Sequence, residues 1–423
     1  MIRIKSKEEC CGCSACYAAC PVKCIKMTKD KNGFLYPQID VQQCVECGLC
    51  EKVCPEQNYH FANNNWKSDS ETIQEYTHRI IKQEKNTPDA FIAYNKNSVI
   101  RKKSTSGGVF TAIANYVIEK KGWVYGVCFN KDNKIIHYGT QQREEIKLFR
   151  GSKYVQSNPL EVYSEIKNHL KQNKWVLYTG TPCQVAGLKL YLRKKYTRLI
   201  TVDIFCHGVG SPQYWNQYLN FMERKYQSKI RQINFREKTY GYNSACMAVY
   251  FDNGKFSKKG HDDDLYWTAF SKCYILRPSC YKCKFKNLNH DSDFTIGDFW
   301  DCSSLKNKDF INANGCTLLL VHSQSGHNLL ELLEDRIQIN PFDLEKALII
   351  NGGPMPSKLI SSSLIPNRYD DFVRDMHTME IEDLVQKYMP LSAKQQIKCF
   401  IKPMLYRIGI LDILKKIFKK AKK

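Results

Sequence analysis

Through the middle of the chain, short apolar runs alternate with apolar positions three and four residues apart. Residues 90–94 read as a strand. Val109, Ile113, Tyr116 and Val117 then share one helical face, in a helix that opens after Ser104-Thr105-Ser106-Gly107-Gly108 and runs to about Lys120. Further strands are expected at 123–129, 135–139, 175–178 and 199–205. Helices are expected at 159–170, from Thr181 to about Tyr196, and from Ser211 to Tyr226. This alternation predicts an α/β region with a mixed, mostly parallel sheet covered on both faces. Residues 230–256 turn strand-rich, and 293–298 and 317–322 add two strands. The polar stretch 57–88 reads as a linker with one exposed helical turn around Tyr76. At the end of the chain Phe400, Ile401, Met404, Leu405, Ile408, Leu411, Leu414 and Phe418 make one apolar face. Lys402, Arg407, Lys415, Lys416, Lys419 and Lys420 lie opposite, as in a basic amphipathic helix.

The first sixty residues follow a different rule. Cys10, Cys13, Cys16 and Cys20, followed by Pro21, and Cys44, Cys47, Cys50 and Cys54, followed by Pro55, each spell C-x-x-C-x-x-C-x-x-x-C-P. That is the spacing of bacterial two-cluster ferredoxins, in which the fourth thiolate of each run serves the other cluster. One 4Fe-4S cluster is thus expected on Cys10, Cys13, Cys16 and Cys54, and a second on Cys44, Cys47, Cys50 and Cys20. Structural zinc would ask for two pairs of ligands, not a repeated three-plus-one run. The stretch Gly33-Phe34-Leu35-Tyr36-Pro37 reads as a hairpin between the two halves, and Cys11 and Cys24 as spare thiols beside the clusters.

Composition narrows the setting. Twenty cysteines in 423 residues, with no apolar leader after Met1 and no run long enough to span a bilayer, predict a cytoplasmic, reduced iron–sulfur protein. The formal charge of +22 is partly offset by anionic clusters, and no motif interleaves aromatics with a basic stripe, so no nucleic-acid partner is expected. The basic tail helix predicts contact with an anionic membrane surface, at the inner face of the cell membrane. A helix docked on its own domain is the alternative.

Ligands of open α/β sheets bind beyond the carboxyl ends of strands. Three loops there catch the eye: Ser106-Gly107-Gly108, Thr179-Gly180-Thr181-Pro182, and Cys206 to Pro212. Each offers backbone N–H groups or a capped helix start suited to an anion. Cys183 and Cys206 lie in two of these loops, and Cys280-Tyr281-Lys282-Cys283 supplies a C-x-x-C; together they predict a third four-thiolate site, with Cys273 in reserve. Cys128, Cys246, Cys302, Cys316 and Cys399 read as bystanders.

Taken together, the double cysteine run, Ser104 to Gly108, the stretch from Arg150 to Ser157, Gly180-Thr181-Pro182-Cys183-Gln184, Cys206-His207-Gly208, the stretch from Arg277 to Cys283, and Ile296-Gly297-Asp298-Phe299-Trp300 resemble the beta subunits of coenzyme F-420 hydrogenases and dehydrogenases, in a form fused to an amino-terminal ferredoxin. The resemblance implies FAD, an iron–sulfur cluster in the flavin domain, and hydride exchange with an organic partner. It puts Ser106, Gly107, Gly108, Ser152, Lys153, Thr179, Gly180 and Thr181 near the flavin. Lys153 is the expected positive charge beside the reduced ring, and His207 and Asp298 are candidates for proton transfer. The domains expected are a two-cluster α+β ferredoxin domain at 1–60, a linker at 61–88, a flavin and iron–sulfur oxidoreductase domain at 89–340, and an extension at 341–423. The expected function is an oxidoreductase that exchanges electrons with a ferredoxin-type protein and a hydride with a small organic substrate. The alternative is a non-catalytic electron-transfer subunit of a larger complex.

Overall fold

A computed structural model describes residues 1–59, 66, 70–300, 310, 314–353, 355–408 and 410. Cys302, Leu411, Leu414, Phe418 and the lysines from Lys415 onward lie outside the described residues. By its internal contacts the chain divides into two units, Met1–Gln213 with Leu276–Leu364 and Tyr214–Ile275 with Ile365–Lys423.

In the first unit the cysteine runs flank a hairpin of β1 (Ile25–Lys29) and β2 (Leu35–Ile39), paired antiparallel from Ile25 opposite Ile39 to Lys29 opposite Leu35. Asp30 builds the turn by accepting from the amides of Asn32 and Phe34, both at 3.0 Å, while Gly33 takes φ 81°. The stretch expected to form the hairpin is thus its turn and second strand.

Residues Ile73–Gln83 form a helix of eleven residues instead of one exposed turn. Thr72 and Glu75 cap it reciprocally, the Thr72 amide donating to Glu75 at 2.8 Å and the Glu75 amide to Thr72 at 3.2 Å. Tyr76 and Ile80 are buried, and the Tyr76 hydroxyl donates to the carbonyl of Ile360 at 2.7 Å. The T-x-x-E signal was present in a stretch whose polarity masked it.

The large sheet uses β3 (Asp89–Asn95), β4 (Trp123–Phe129), β5 (Ile135–Thr140), β6 (Val176–Thr179) and β7 (Leu199–Ile204). After β8 (Ile230–Glu237), β9 (Cys246–Phe251) and β10 (Phe256–Lys259), which belong to the second unit, it resumes with β11 (Phe294–Asp298), β12 (Thr317–Val321) and β13 (Ile337–Pro341). The order is β13-β3-β12-β11-β7-β6-β4-β5. Only β4 with β6, β6 with β7 and β7 with β11 run parallel; the other four pairs are antiparallel. The sheet is therefore mixed, and the expectation of a mostly parallel one is corrected. Parallel neighbours need a long crossover, which the helices Val162–Lys171 and Pro182–Leu192 provide; β5 follows β4 through a tight turn and must run back against it.

Successive strand residues feed opposite faces. Val124 and Leu177 join Val109, Ile113 and Val117 of the helix Val109–Glu119, whereas Tyr125, Val176 and Tyr178 join Tyr163, Ile166 and Leu188 of the two crossover helices. At about 1.5–3 kcal/mol per buried large apolar side chain, both faces contribute heavily to stability. The second cluster also takes in Cys13 and Ala15, so the first cysteine run is part of the sheet's own packing.

The second unit holds the sheet β10-β9-β8 and an aromatic core in which Trp215 stacks on Phe235 at 5.0 Å and meets Tyr266 edge-on at 4.9 Å. Its last described helix, Ala393–Arg407, is capped by Ser392 and Gln395 and contains Pro403, which has no N–H for the helical ladder. Leu405 packs on Tyr240 and Cys246, while Phe400 and Met404 stay 73% and 53% exposed.

Candidate metal centres

Both cysteine runs coil through left-handed residues. Gly12 (φ 70°) and Ser14 (φ 64°) in the first correspond to Glu46 (φ 49°) and Gly48 (φ 68°) in the second, and each pair leads into a short helix, Ala15–Ala19 or Leu49–Lys52. Cys10, Cys13, Cys16 and Cys54 lie within electrostatic reach of one another, and burial pushes the Cys16 thiol far up and that of Cys54 to about 11. Cys20, Cys44, Cys47 and Cys50 line one recess of about 340 Å³, with Cys24 among them. Cys24 stands 3.4 Å from Cys20, sulfur to sulfur, and burial pushes it up to about 12. The amide of Ile2 donates to Cys50 Sγ at 3.2 Å.

A larger cavity of about 590 Å³ is lined by Cys183, Cys206, Cys280 and Cys283, with Cys11 as a fifth thiol. Three separate stretches deliver the four. Cys183 is the second residue of the helix Pro182–Leu192, whose start is fixed by Pro182 and by Gln184 accepting from the Thr181 amide at 3.0 Å. Cys206 follows the end of β7. Cys280 lies in the 3-10 turn Pro278–Lys282 and Cys283 ends it. Gly208, at φ 151°, lets the loop after Cys206 pass against Leu276 and Cys280, its own Cβ position lying 3.3 Å from that of Cys280. Burial holds Cys206 up at about 11 and Cys280 at about 12; Cys183 is raised first by its contact with Cys11 and then by burial. Each of the four repels others of the set, so a cation or cluster that displaced their protons would relieve burial and repulsion together.

Lys286, Glu56 and His290 are among the further side chains that line this cavity. Lys286 donates to the carbonyl of Lys358 at 2.7 Å. Glu56 is raised to about 7 by burial, against the pull of Lys284 and Arg277. His290 turns Nδ1 to Asp203 at 2.8 Å, and its buried Nε2 has no hydrogen-bond partner among the described residues. Sequence reading missed all three and read Cys11 as a spare thiol beside the clusters; only Cys11, as an extra thiol inside a ligand loop, left any signal. Cys273 is not among the lining residues. Among the described residues no three His, Cys, Asp or Glu side chains converge on a single ion.

The residues expected at a flavin have other engagements. The Gly107 amide donates to Thr317 Oγ1 at 2.9 Å and Ser106 shares a hydrogen bond with the same hydroxyl at 3.0 Å. The Gly180 amide donates to the carbonyl of Val202 at 3.2 Å, the Thr181 amide is held by Gln184, and Thr179 Oγ1 donates to the carbonyl of Tyr125 at 3.1 Å. Gly108 is the left-handed N-cap of the helix Val109–Glu119, at φ 88°. In the third loop Ser211 donates to the carbonyl of Asn32 at 2.7 Å. The Ser152 amide donates to Thr105 at 2.9 Å, and Lys153 Nζ donates to the carbonyls of Leu148 and Arg150 at 2.8 and 3.0 Å. Burial lowers Lys153 to about 7. The carbonyl of His207 accepts from Ser363 at 2.9 Å and that of Asp298 from Asn351 at 2.8 Å. Those carbonyls fasten their loops.

The model of the coenzyme F420 hydrogenase/dehydrogenase beta subunit, N-term, matches residues 90–163, and that of its C terminus residues 173–346. A 4Fe-4S dicluster domain matches residues 9–58, so the amino-terminal segment is an iron–sulfur domain. The chain is 42% identical over 52 residues to an uncharacterised ferredoxin of Methanocaldococcus jannaschii, covering 12% of this chain and 66% of that protein. It is 34% identical over 62 residues to NADH-quinone oxidoreductase subunit I of Pelobacter propionicus, covering 13% of this chain and 33% of that one. Against a 7Fe ferredoxin of Hydrogenibacillus schlegelii the figures are 39% over 66 residues, 14% and 78%. A chain of the xenon-derivatised F420-reducing NiFe hydrogenase complex of Methanosarcina barkeri aligns over 71% of this chain and 91% of its own length, with 17% identity and a TM-score of 0.42.

Proposed function

Because the chain belongs to the coenzyme F420 hydrogenase/dehydrogenase beta-subunit family, we propose that it is an electron relay with three 4Fe-4S centres, two in residues 1–60 and a third in the oxidoreductase region 89–340. Such centres supply one-electron storage. The chain's own part is to hold them in place and to keep water from the inner two. Cys10, Cys13, Cys16 and Cys54 would hold the first, Cys20, Cys44, Cys47 and Cys50 the second, and Cys183, Cys206, Cys280 and Cys283 the third. The observation behind the third centre is the cavity that gathers four cysteines from separate stretches, with Cys11 of the first run on the same wall. The second run, where Val45 and Cys47 are exposed, is the face we assign to a ferredoxin-like redox partner. The test is iron per chain after anaerobic purification. About twelve is expected, falling to about eight in Cys280→Ser/Cys283→Ser with the fold retained. Eight in the parent chain would sink the third centre.

The FAD and hydride transfer implied by the family resemblance do not fit the loop amides expected to bind its phosphates, since Gly107, Gly180 and Thr181 already spend their N–H groups within the fold. We therefore favour the relay over a flavin enzyme acting on a small organic substrate. One observation keeps the enzyme reading in play. The half-buried Lys153 donates to the carbonyls of Leu148 and Arg150 and lies beside the Thr105–Ser152 contact. Flavin measured per chain in the same preparation decides between the two.

We also propose that the helix Ala393–Arg407 meets an anionic membrane surface, supported by exposed Phe400, Ile401 and Met404. No described helix is long and apolar enough to cross a membrane. The full chain should sediment with anionic vesicles and a chain ending at Lys394 should not. Equal binding, or binding indifferent to salt and lipid charge, would exclude an anchor.

A further inference from the structure

Arg277 is fully buried, at 0% exposure. A guanidinium taken wholly out of water ordinarily faces a carboxylate. This one spends its donors on neutral oxygens: Nε on the carbonyl of Cys10 at 2.7 Å, Nη1 on Gln156 Oε1 at 2.7 Å and Nη2 on the carbonyl of Leu35 at 2.9 Å. The rings of Tyr36 and Phe34 lie 4.2 and 5.4 Å from it. The ionisable groups that act most on it are Cys10 foremost, then Tyr36, Cys11 and Cys280. Glu56 also feels it, but answers first to Lys284. The contact with the first cysteine run is tight. A Cβ on Gly12 would stand 2.3 Å from Gln156 Nε2 and 2.7 Å from Arg277 Nη1.

Among the described residues no carboxylate takes a hydrogen bond from this buried cation, and a thiolate-bound cluster on Cys10 would supply a negative partner beside it. We propose that Arg277 is the fixed countercharge of the first amino-terminal cluster, with Gln156 aiming its guanidinium, and that it favours that cluster's reduced state over its oxidised one. Each added electron makes a cluster more negative, so a permanent positive charge at the Cys10 carbonyl raises its midpoint potential. None of Cys20, Cys44, Cys47 and Cys50 is among the groups that act most on Arg277, so the second cluster serves as an internal control. The inference rests on the assignment of Cys10, Cys13, Cys16 and Cys54 to one cluster, and iron content tests that separately.

The experiment is an EPR-monitored redox titration of the anaerobic full-length holoprotein, with iron counted in each preparation. In Arg277→Met the first cluster's midpoint should fall while the second's stays within error. Arg277→Lys, which keeps the charge without the planar fork, should fall by less than half as much. Gln156→Glu is isosteric and sets a carboxylate on the guanidinium; it should also lower the first midpoint while leaving the second in place, and it decides the matter if Arg277→Met does not retain iron. Unmoved midpoints, equal shifts of both clusters, or a shift in Arg277→Lys as large as in Arg277→Met would overturn the proposal and leave Arg277 a packing residue. A parent chain in which the first run holds no cluster would instead overturn the ligand assignment.

Discussion

Gly12 and Glu46 occupy the same place in the two cysteine runs, one residue before the second cysteine, and both take left-handed backbone, at φ 70° and 49°. One position accepts only a hydrogen and the other tolerates a long acid, so the backbone is not what distinguishes them. The surroundings are. Gly12 lies under Gln156 and Arg277, whereas Glu46 is exposed beside Val45, itself 60% exposed. A repeated local motif has been folded into the protein on one side and left facing outward on the other. The lesson is functional as well as structural. Cys13 and Ala15 pack with Tyr163, Val185 and Leu188 against the sheet, so that under the proposed relay the first run would be the inward port and the second the one a redox partner would touch.

The sharpest way to break this contrast is to exchange the two residues. Gly12→Glu should cost more than about 3 kcal/mol, since left-handed strain of roughly 1–2 kcal/mol adds to a Cβ that has no room. The expected readout is a loss of about four irons, with the EPR signal of the first cluster gone and that of the second intact. A variant that keeps both clusters at parental thermal stability would mean that the two runs are equivalent after all.

What could be read from the sequence follows the same division. The ferredoxin runs were legible because their ligands are close in the chain and their spacing is itself the geometry. The third cavity was legible only in part: Cys183, Cys206, Cys280 and Cys283 stood at strand ends and in a C-x-x-C, but their meeting is a property of the sheet order. Glu56, Lys286 and His290 had no local pattern, because burial and the Asp203 contact that orients His290 are made by distant segments. Strand positions were read well from apolar runs. Strand direction was not, since β11 to β13 and β3 pair antiparallel through connections whose course no periodicity records. Gly107 resembles a phosphate-binding residue, and a Cβ there would stand 2.4 Å from the carbonyl of Ala93, so its lack of a side chain also serves close packing against the sheet, which no local pattern records.

The reciprocal exchange, Glu46→Gly, should do almost nothing, and that is why it sharpens the comparison. Relief of left-handed strain is worth roughly 1 kcal/mol, and the greater unfolded-state freedom of glycine gives back about 0.5–1 kcal/mol. Net stability should therefore stay within about 0.5 kcal/mol of the parent. Glu46 lines the recess of the second cluster and is exposed, so the charge removed lies on the outward face. Its removal takes one negative charge from beside that cluster and should raise the second midpoint slightly while leaving the first where it was. Electron exchange with a ferredoxin should change in rate and in salt dependence, because an exposed charge acts on encounter more than on the bound state. A shift of the first cluster instead, or a loss of stability above about 1 kcal/mol, would mean that the second run is not the outward one.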